Sequence, residues 1–321
     1  MEENQDFNLK PENQQNEEQH QEVPPELNPT MPPAQAAVFA LIAVFLIYQI
    51  GAGTITLLIF GFDLENANPN ALRIMTAVGQ ILLILGPALL FSKLIYNDIP
   101  RVMRFRLPNR KQIAVFIFGL IILVPLLQSY LYIQNYIIQQ LAESSSFFHK
   151  IKELTDFFDK LIEESYLILL RPESVIDGII IVLVVTVVPS LCEELFFRGF
   201  IQKSFELRYS PVLAIVLTGV FFAAYHFNPY QFIPLFIIGF YLGFSVYVTD
   251  SIVTGVILHF INNLTAVLAF FIFGEEDIVN TALSGDSLST HLISFTLLLV
   301  VFASVIYFIN NYSNTLLKNR G

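Results

Sequence analysis

The polar residues that interrupt the apolar second half of this 321-residue chain are of the types that activate water. One string, Pro189-Ser-Leu-Cys-Glu193-Glu194-Leu-Phe-Phe-Arg198, sets two carboxylates and a guanidinium at the end of an aliphatic run. A second apolar stretch ends in Phe222-Ala-Ala-Tyr-His226, and a third is broken by His259-Phe-Ile-Asn262-Asn263. An ionisable group inside a hydrocarbon span costs on the order of 3 kcal/mol or more, so such groups mark function by default. Adjacent helix positions point about 100° apart, whereas residues four apart share a face. Arg198 therefore reaches Glu194 in a charge-assisted pair and leaves Glu193 on another face as the available acid.

Apolar surroundings make a carboxylate more basic, which suits Glu193 to take a proton from water near neutral pH. His226 and His259 complete a water-activating cluster with it. Asn263, one turn after His259, adds a neutral donor for a forming oxyanion. Glu193, His226 and His259 are also a zinc-ligand set, so metal-bound and metal-free water are both open. Other polar groups read as structural: Cys192 as packing, Asn262 as packing glue turned away from Asn263, Asp177 and Asp250 as topological residues near helix ends. His20, His149 and His291 fall in the tail, a loop and a helix start.

Elements that could position such groups follow from composition. With 55% apolar and 14% charged residues and a mean hydropathy of +0.62, a water-soluble globule is excluded. The net charge of −10 argues against a nucleic-acid partner, since a phosphate backbone is bound through an excess of basic charge. The single cysteine excludes an intrachain disulfide and a multi-cysteine metal site. The expected fold is an all-α membrane protein. Its eight spans lie at roughly 36–60, 74–95, 113–137, 176–197, 211–227, 232–249, 252–273 and 287–309. The fifth and sixth are the shortest. A four-helix catalytic core occupies spans four to seven.

This divides the chain into an acidic tail (1–35), three N-terminal spans (36–138), an amphipathic outer segment (139–174), the core (175–273) and a last span with a short tail (274–321). The tail carries eight acids against Lys10 alone and six prolines, which predicts disorder and is the opposite of a secretory signal. In 139–174 the residues Phe147, Phe148, Ile151, Leu154, Phe158, Leu161 and Ile162 recur on a helical period. They predict a helix lying on the outer membrane surface or folding over the bundle, or else an extension of its neighbours. Basic residues gather after the second span (Lys93, Arg101, Arg104, Arg106, Arg110, Lys111), after the fourth (Arg198, Lys203, Arg208) and in the C-terminal tail (Lys318, Arg320). That pattern places both termini in the cytoplasm. It also raises a difficulty: Glu193 falls near the inner end of its span, while His226 lies about 22 Å into the next. The two meet if the fourth helix continues to about Arg208, the preferred solution, or if the fifth is a partial crossing lining a wet cavity.

Glu193-Glu194-x-x-x-Arg198, Phe222-x-x-x-His226 and His259-x-x-x-Asn263 together resemble the three-motif signature of the CPBP intramembrane endopeptidases. That family joins CAAX prenyl proteases with bacterial bacteriocin-processing and immunity proteins, the Abi family. The resemblance covers about 176–273. It implies a helical bundle with a cavity open within the membrane, Glu193 and His226 activating water, His259 and Asn263 supporting the oxyanion, and Glu194, Arg198 and Phe222 as structural support. The implied partners are the lipid bilayer and a membrane-associated or lipid-modified protein substrate, and the Asn- and Gln-rich sequence points to a bacterial plasma membrane. No HExxH, GxSxG or YD with GxGD pattern offers another intramembrane protease class. A non-proteolytic immunity or scaffold protein that keeps the motif for binding is the alternative, and a proton-coupled transporter a weaker third.

Overall fold

The structure, a computed structural model, describes residues 27–61, 67–280 and 287–318, of which 275–280 and 312–318 by their backbone alone. Most of the acidic tail, His20 and Arg320 lie outside the described residues. What is described is a bundle of helices, with no strand among the described residues. In chain order they are α1 (Pro33–Phe60), α2 (Pro69–Tyr96), α3 (Arg110–Ser144), α4 (Ser146–Leu170), α5 (Val175–Glu206), α6 (Pro211–Ala224), α7 (Phe232–Thr249), α8 (Ile252–Gly274) and α9 (Leu288–Lys318). Seven of these, all but α4 and α6, contain stretches long and apolar enough to cross a membrane. The expectation of eight spans is corrected at α6, whose 14 residues fall short of a bilayer's thickness.

Local sequence sets the helix starts. Asn68, Asn109, Ser145, Ser174 and Ser210 each accept a backbone N–H from the first turn of α2 to α6 respectively, satisfying donors that have no helical partner. Pro69 and Pro211 follow two of these caps, where a missing N–H costs nothing. The Ser145 cap makes α4 a helix of its own rather than an extension of α3. No residue of α4 is buried; it lies on α3 and reaches α2 and α8.

The helix that carries the glutamates is irregular. In α5, π-type turns at Leu183–Val187 and Leu195–Ile201 flank the short α-helical stretch Val188–Glu194. Such wide turns recur at functional sites. Phe196, Phe197 and Phe200 anchor the lower half of α5 in a core shared with Ala37 and Ala40 of α1 and Phe222 of α6. A second core joins α3, α7, α8 and α9 around Phe116, Tyr241 and Leu258. Helices α6 and α7 form a hairpin, and α8 runs along α5.

Both helices bear on the depth difficulty. α5 runs on to Glu206, as in the preferred solution, so Glu193 lies about 20 Å from that end at 1.5 Å per residue. α6 is only 14 residues long and ends at Ala224, two residues before His226.

Two residues read as topological are in fact network members. Asp177 accepts hydrogen bonds from Asn70 Nδ2 at 2.8 Å, Ser174 Oγ at 3.0 Å and the Glu173 N–H at 3.1 Å. The fully buried Arg73 stands 3.9 Å away and donates to the Leu169 and Arg171 carbonyls, fastening the end of α4 to α2. Asp250 pairs with Arg106 at 2.6 Å and with Arg104 at 3.7 Å, and Arg104 also pairs with Glu206. Two of the basic residues counted for topology are thus neutralised within the protein.

Candidate active site

Glu194, Arg198, Gln202 and Glu206 recur every four residues and form one polar stripe along α5. Glu194 and Arg198 are completely buried, with Glu194 Oε1 accepting from Arg198 Nη1 at 2.5 Å. Arg198 Nη2 donates to the Gly239 carbonyl at 3.1 Å, and Gln202 Nε2 to that of Gly243 at 3.0 Å. The guanidinium also lies 4.3 Å from the centre of the Phe222 ring, so Phe222 supports the cation as well as the packing. Gly255 on α8 has to be a glycine: a Cβ there would stand 2.6 Å from Glu194 Oε2 and 2.7 Å from Val246 Cγ2.

His259, 4% exposed, reaches the same carboxylate, with Nδ1 2.9 Å from Glu194 Oε1. The sequence reading grouped His259 with Glu193 and Asn263; the structure ties it first to Glu194. A carboxylate beside Nδ1 accepts a hydrogen bond from its N–H, which leaves Nε2 pointing the other way.

His226 is fixed by a different device. The last turn of α6 leaves the Phe222 carbonyl without a backbone donor, while Tyr225, His226 and Phe227 N–H groups go to Phe221, Ala223 and Ala224. His226 Nδ1 fills that position 2.8 Å from the Phe222 oxygen. A carbonyl only accepts, so the ring carries its proton on Nδ1 and offers the Nε2 lone pair. The Phe222 ring lies between the two histidines, 4.8 Å from the His226 ring and 5.9 Å from the His259 ring.

Asn263 is placed by a proline. Pro189 has no N–H, so the carbonyl of Val185, four residues earlier, loses its α-helical donor. Asn263 Nδ2 donates to that carbonyl at 3.3 Å. Asn262, expected to face away, instead donates to Asn263 Oδ1 at 3.3 Å.

Glu193 is half-buried, and its Oε2 is enclosed with no hydrogen-bond partner. It lies within electrostatic reach of Tyr48 on α1 and Tyr166 on α4, and Gln80 on α2 stands beside Tyr48. Desolvation of its hydroxyl together with the Glu193 charge pushes Tyr166 above its ordinary range, although the residue as a whole is 47% exposed. Sequence reasoning missed Tyr48, Gln80 and Tyr166. It looked for ionisable groups inside spans; applied to amides as well, the same rule points to Gln80. A groove of about 530 Å³ opens between α1, α2 and α4, lined by Gln49, Thr54, Leu57, Thr76, Ser165 and Leu169 among others; Glu193, Tyr48, Gln80 and Tyr166 do not line it.

Among the described residues, no three His, Cys, Asp or Glu side chains come together in a way that could hold a metal ion. Glu193, His226 and His259 do not form such a group in this structure. His149 and His291 stand elsewhere, His149 3.4 Å from Glu153 and His291 stacked on Tyr132.

Comparison with known proteins locates one similarity. Residues 175–265 match the family described as type II CAAX prenyl endopeptidase Rce1-like. The match begins at the first residue of α5 and takes in all seven motif residues. No curated protein and no solved structure matches the chain.

Proposed function

From that family match, we propose that the chain is an intramembrane endopeptidase that hydrolyses a peptide bond of a membrane-associated or lipid-modified protein with water activated by Glu193 and His226. One observation carries the reading: of two adjacent glutamates, Glu194 is held through Oε1 by both Arg198 and His259, while Glu193 meets neither a cation nor a hydrogen-bond donor among the described residues. An unpaired acid inside a bundle where charge needs a reason suits proton transfer to and from water.

In the proposed reaction, the water oxygen attacks the scissile carbonyl carbon as its proton passes to Glu193, with the His226 Nε2 lone pair orienting the water. The carbonyl oxygen becomes an oxyanion. Asn263 has a second amide hydrogen for it, beyond the one given to Val185. For His259 to donate as well it must carry both protons, and Glu194 is the counter-charge that stabilises such an imidazolium. Glu193 then returns its proton to the departing amine as the C–N bond breaks, leaving one new carboxylate and one new amine. The protein's environment is the bilayer of a bacterial plasma membrane, with both termini in the cytoplasm.

The test compares the termini of membrane proteins, by terminomic mass spectrometry, in cells carrying the intact chain or Glu193→Gln at equal expression. Termini that vanish with Glu193→Gln are expected and would name the substrates. An unchanged set over several growth conditions would overturn the proteolytic reading.

A further inference from the structure

The loop that carries His226 is held by helices that lie outside the matched segment. From α1, the Leu41 carbonyl accepts from the Tyr225 hydroxyl, and Gln49 Nε2 donates to the Tyr225 carbonyl at 2.7 Å. From α3, Gln134 Nε2 donates to the Tyr230 carbonyl at 2.8 Å. From α4 come two acids one turn apart: Asp159 Oδ1 accepts from Asn228 Nδ2 at 2.9 Å, and Asp156 Oδ1 from the Tyr230 hydroxyl at 2.5 Å. The second oxygen of Asp156 accepts from Lys152 at 2.7 Å, and Asn228 Oδ1 accepts the Gln231 N–H at 3.0 Å.

The loop needs such restraint. Phe227, next to His226, has a φ of 53°, a left-handed conformation that a bulky residue keeps only where its surroundings impose it. The two acids are tuned differently. Burial raises Asp159 above the usual carboxylate range despite its bond from Asn228. Burial also acts on Asp156, but the hydrogen bonds from Lys152 and Tyr230 outweigh it and hold that group below the usual range. The same helix brings Tyr166 into electrostatic reach of Glu193.

We propose that α4 is a positioning element of the site: Asp159 and Asp156 clamp Asn228 and Tyr230, and the clamp sets where His226 stands relative to Glu193. The catalytic half of this statement rests on the proteolytic reading; the clamp does not. It gives a segment with no buried residue of its own a reason to be fastened at both its middle and its end, the latter through Arg73.

The test uses the full chain in lipid nanodiscs with two readouts. One is hydrogen exchange of residues 225–231; the other is kcat and KM on a reporter that spans a terminus dependent on Glu193. Asn228→Asp sets carboxylate against carboxylate. It is expected to speed exchange in the loop and to lower kcat about tenfold with KM within about twofold, the scale of losing one charge-assisted bond. The double variant Asp159→Asn/Asn228→Asp returns one donor and one acceptor to the pair and is expected to recover both readouts to within about threefold. Tyr230→Phe, a smaller change that should fold normally, is expected to give the same pattern weakly. Unchanged exchange in Asn228→Asp would overturn the clamp. Faster exchange with unchanged kcat, or a lost kcat that the double variant does not recover, would overturn the positioning role. Should Glu193→Gln leave all termini in place, the proteolytic reading falls while the exchange experiment still decides the clamp.

Discussion

Glu193 and Glu194 are neighbours in sequence, yet they belong to opposite regions of the molecule. On the Glu194 side α5 meets α7 and α8 with no room to spare, and the carboxylate, Arg198 and Gln202 are all completely buried. Glycines at 239, 243 and 255 let the helices approach closely enough for backbone carbonyls and the Gln202 amide to complete the network. On the Glu193 side α5 faces α1, α2 and α4, and the neighbours are the tyrosines Tyr48 and Tyr166. The difference teaches that one turn of helix can hold a charge consumed by packing and another left without a cation or donor. Glu194 shares one oxygen between Arg198 and His259, and Glu193 has neither partner.

The strongest way to break this comparison is to remove the partner of the packed acid. Arg198→Met leaves Glu194 buried opposite an apolar side chain, with His259 as its remaining partner. Losing one member of a buried pair costs about 3–5 kcal/mol because the other charge is left uncompensated. Thermal unfolding in detergent or nanodiscs should show a large fall in Tm. The double variant Glu194→Gln/Arg198→Met removes both charges and should regain most of the loss. A single variant that unfolds like the parent would mean that the Glu194 side is not the rigid region described.

A milder change sharpens the same point without touching a charge. In Gly255→Ala the new methyl stands too close to Glu194 Oε2 and Val246, so α8 has to shift from α5. Overpacking of this kind costs about 1–3 kcal/mol. His259 lies one turn further along α8, so cleavage should fall together with stability. Denaturation and cleavage measured on one preparation would check the coupling, and an alanine tolerated in both would show that α8 has slack.

How much of this was legible in the sequence varies with the physics involved. The Glu194–Arg198 pair follows from helical spacing alone, and the helix starts at Asn68, Ser174 and Ser210 follow from cap chemistry. The long, apolar α5 follows from composition. The partner of His259 was not legible, because a pairing across two helices depends on rotation about each axis, which the wide turns of α5 alter. For the same reason Asn262 was misjudged: 100° of separation does not prevent two adjacent long amides from touching when Pro189 draws one of them toward Val185. Asp177 and Asp250 were read by their place near helix ends, which says nothing about an arginine arriving from another helix. The residues around Glu193 come from α1, α2 and α4, where no local spacing announces them.

The smallest expected effect on stability is also the sharpest test of the comparison. Glu193→Gln keeps the shape of the side chain and replaces a carboxylate whose enclosed oxygen has no hydrogen-bond partner. Nothing that packs the bundle depends on that charge, so stability should stay within about 0.5 kcal/mol of the parent. Relieving an unpaired charge in apolar surroundings could even raise Tm slightly. Cleavage, in contrast, should drop by about 10²–10⁴-fold, since the amide cannot take a proton from water. The two measurements on one protein separate a charge kept for chemistry from one kept for structure. A fall in stability comparable with that of Arg198→Met would place Glu193 in the packed network and erase the distinction between the two acids.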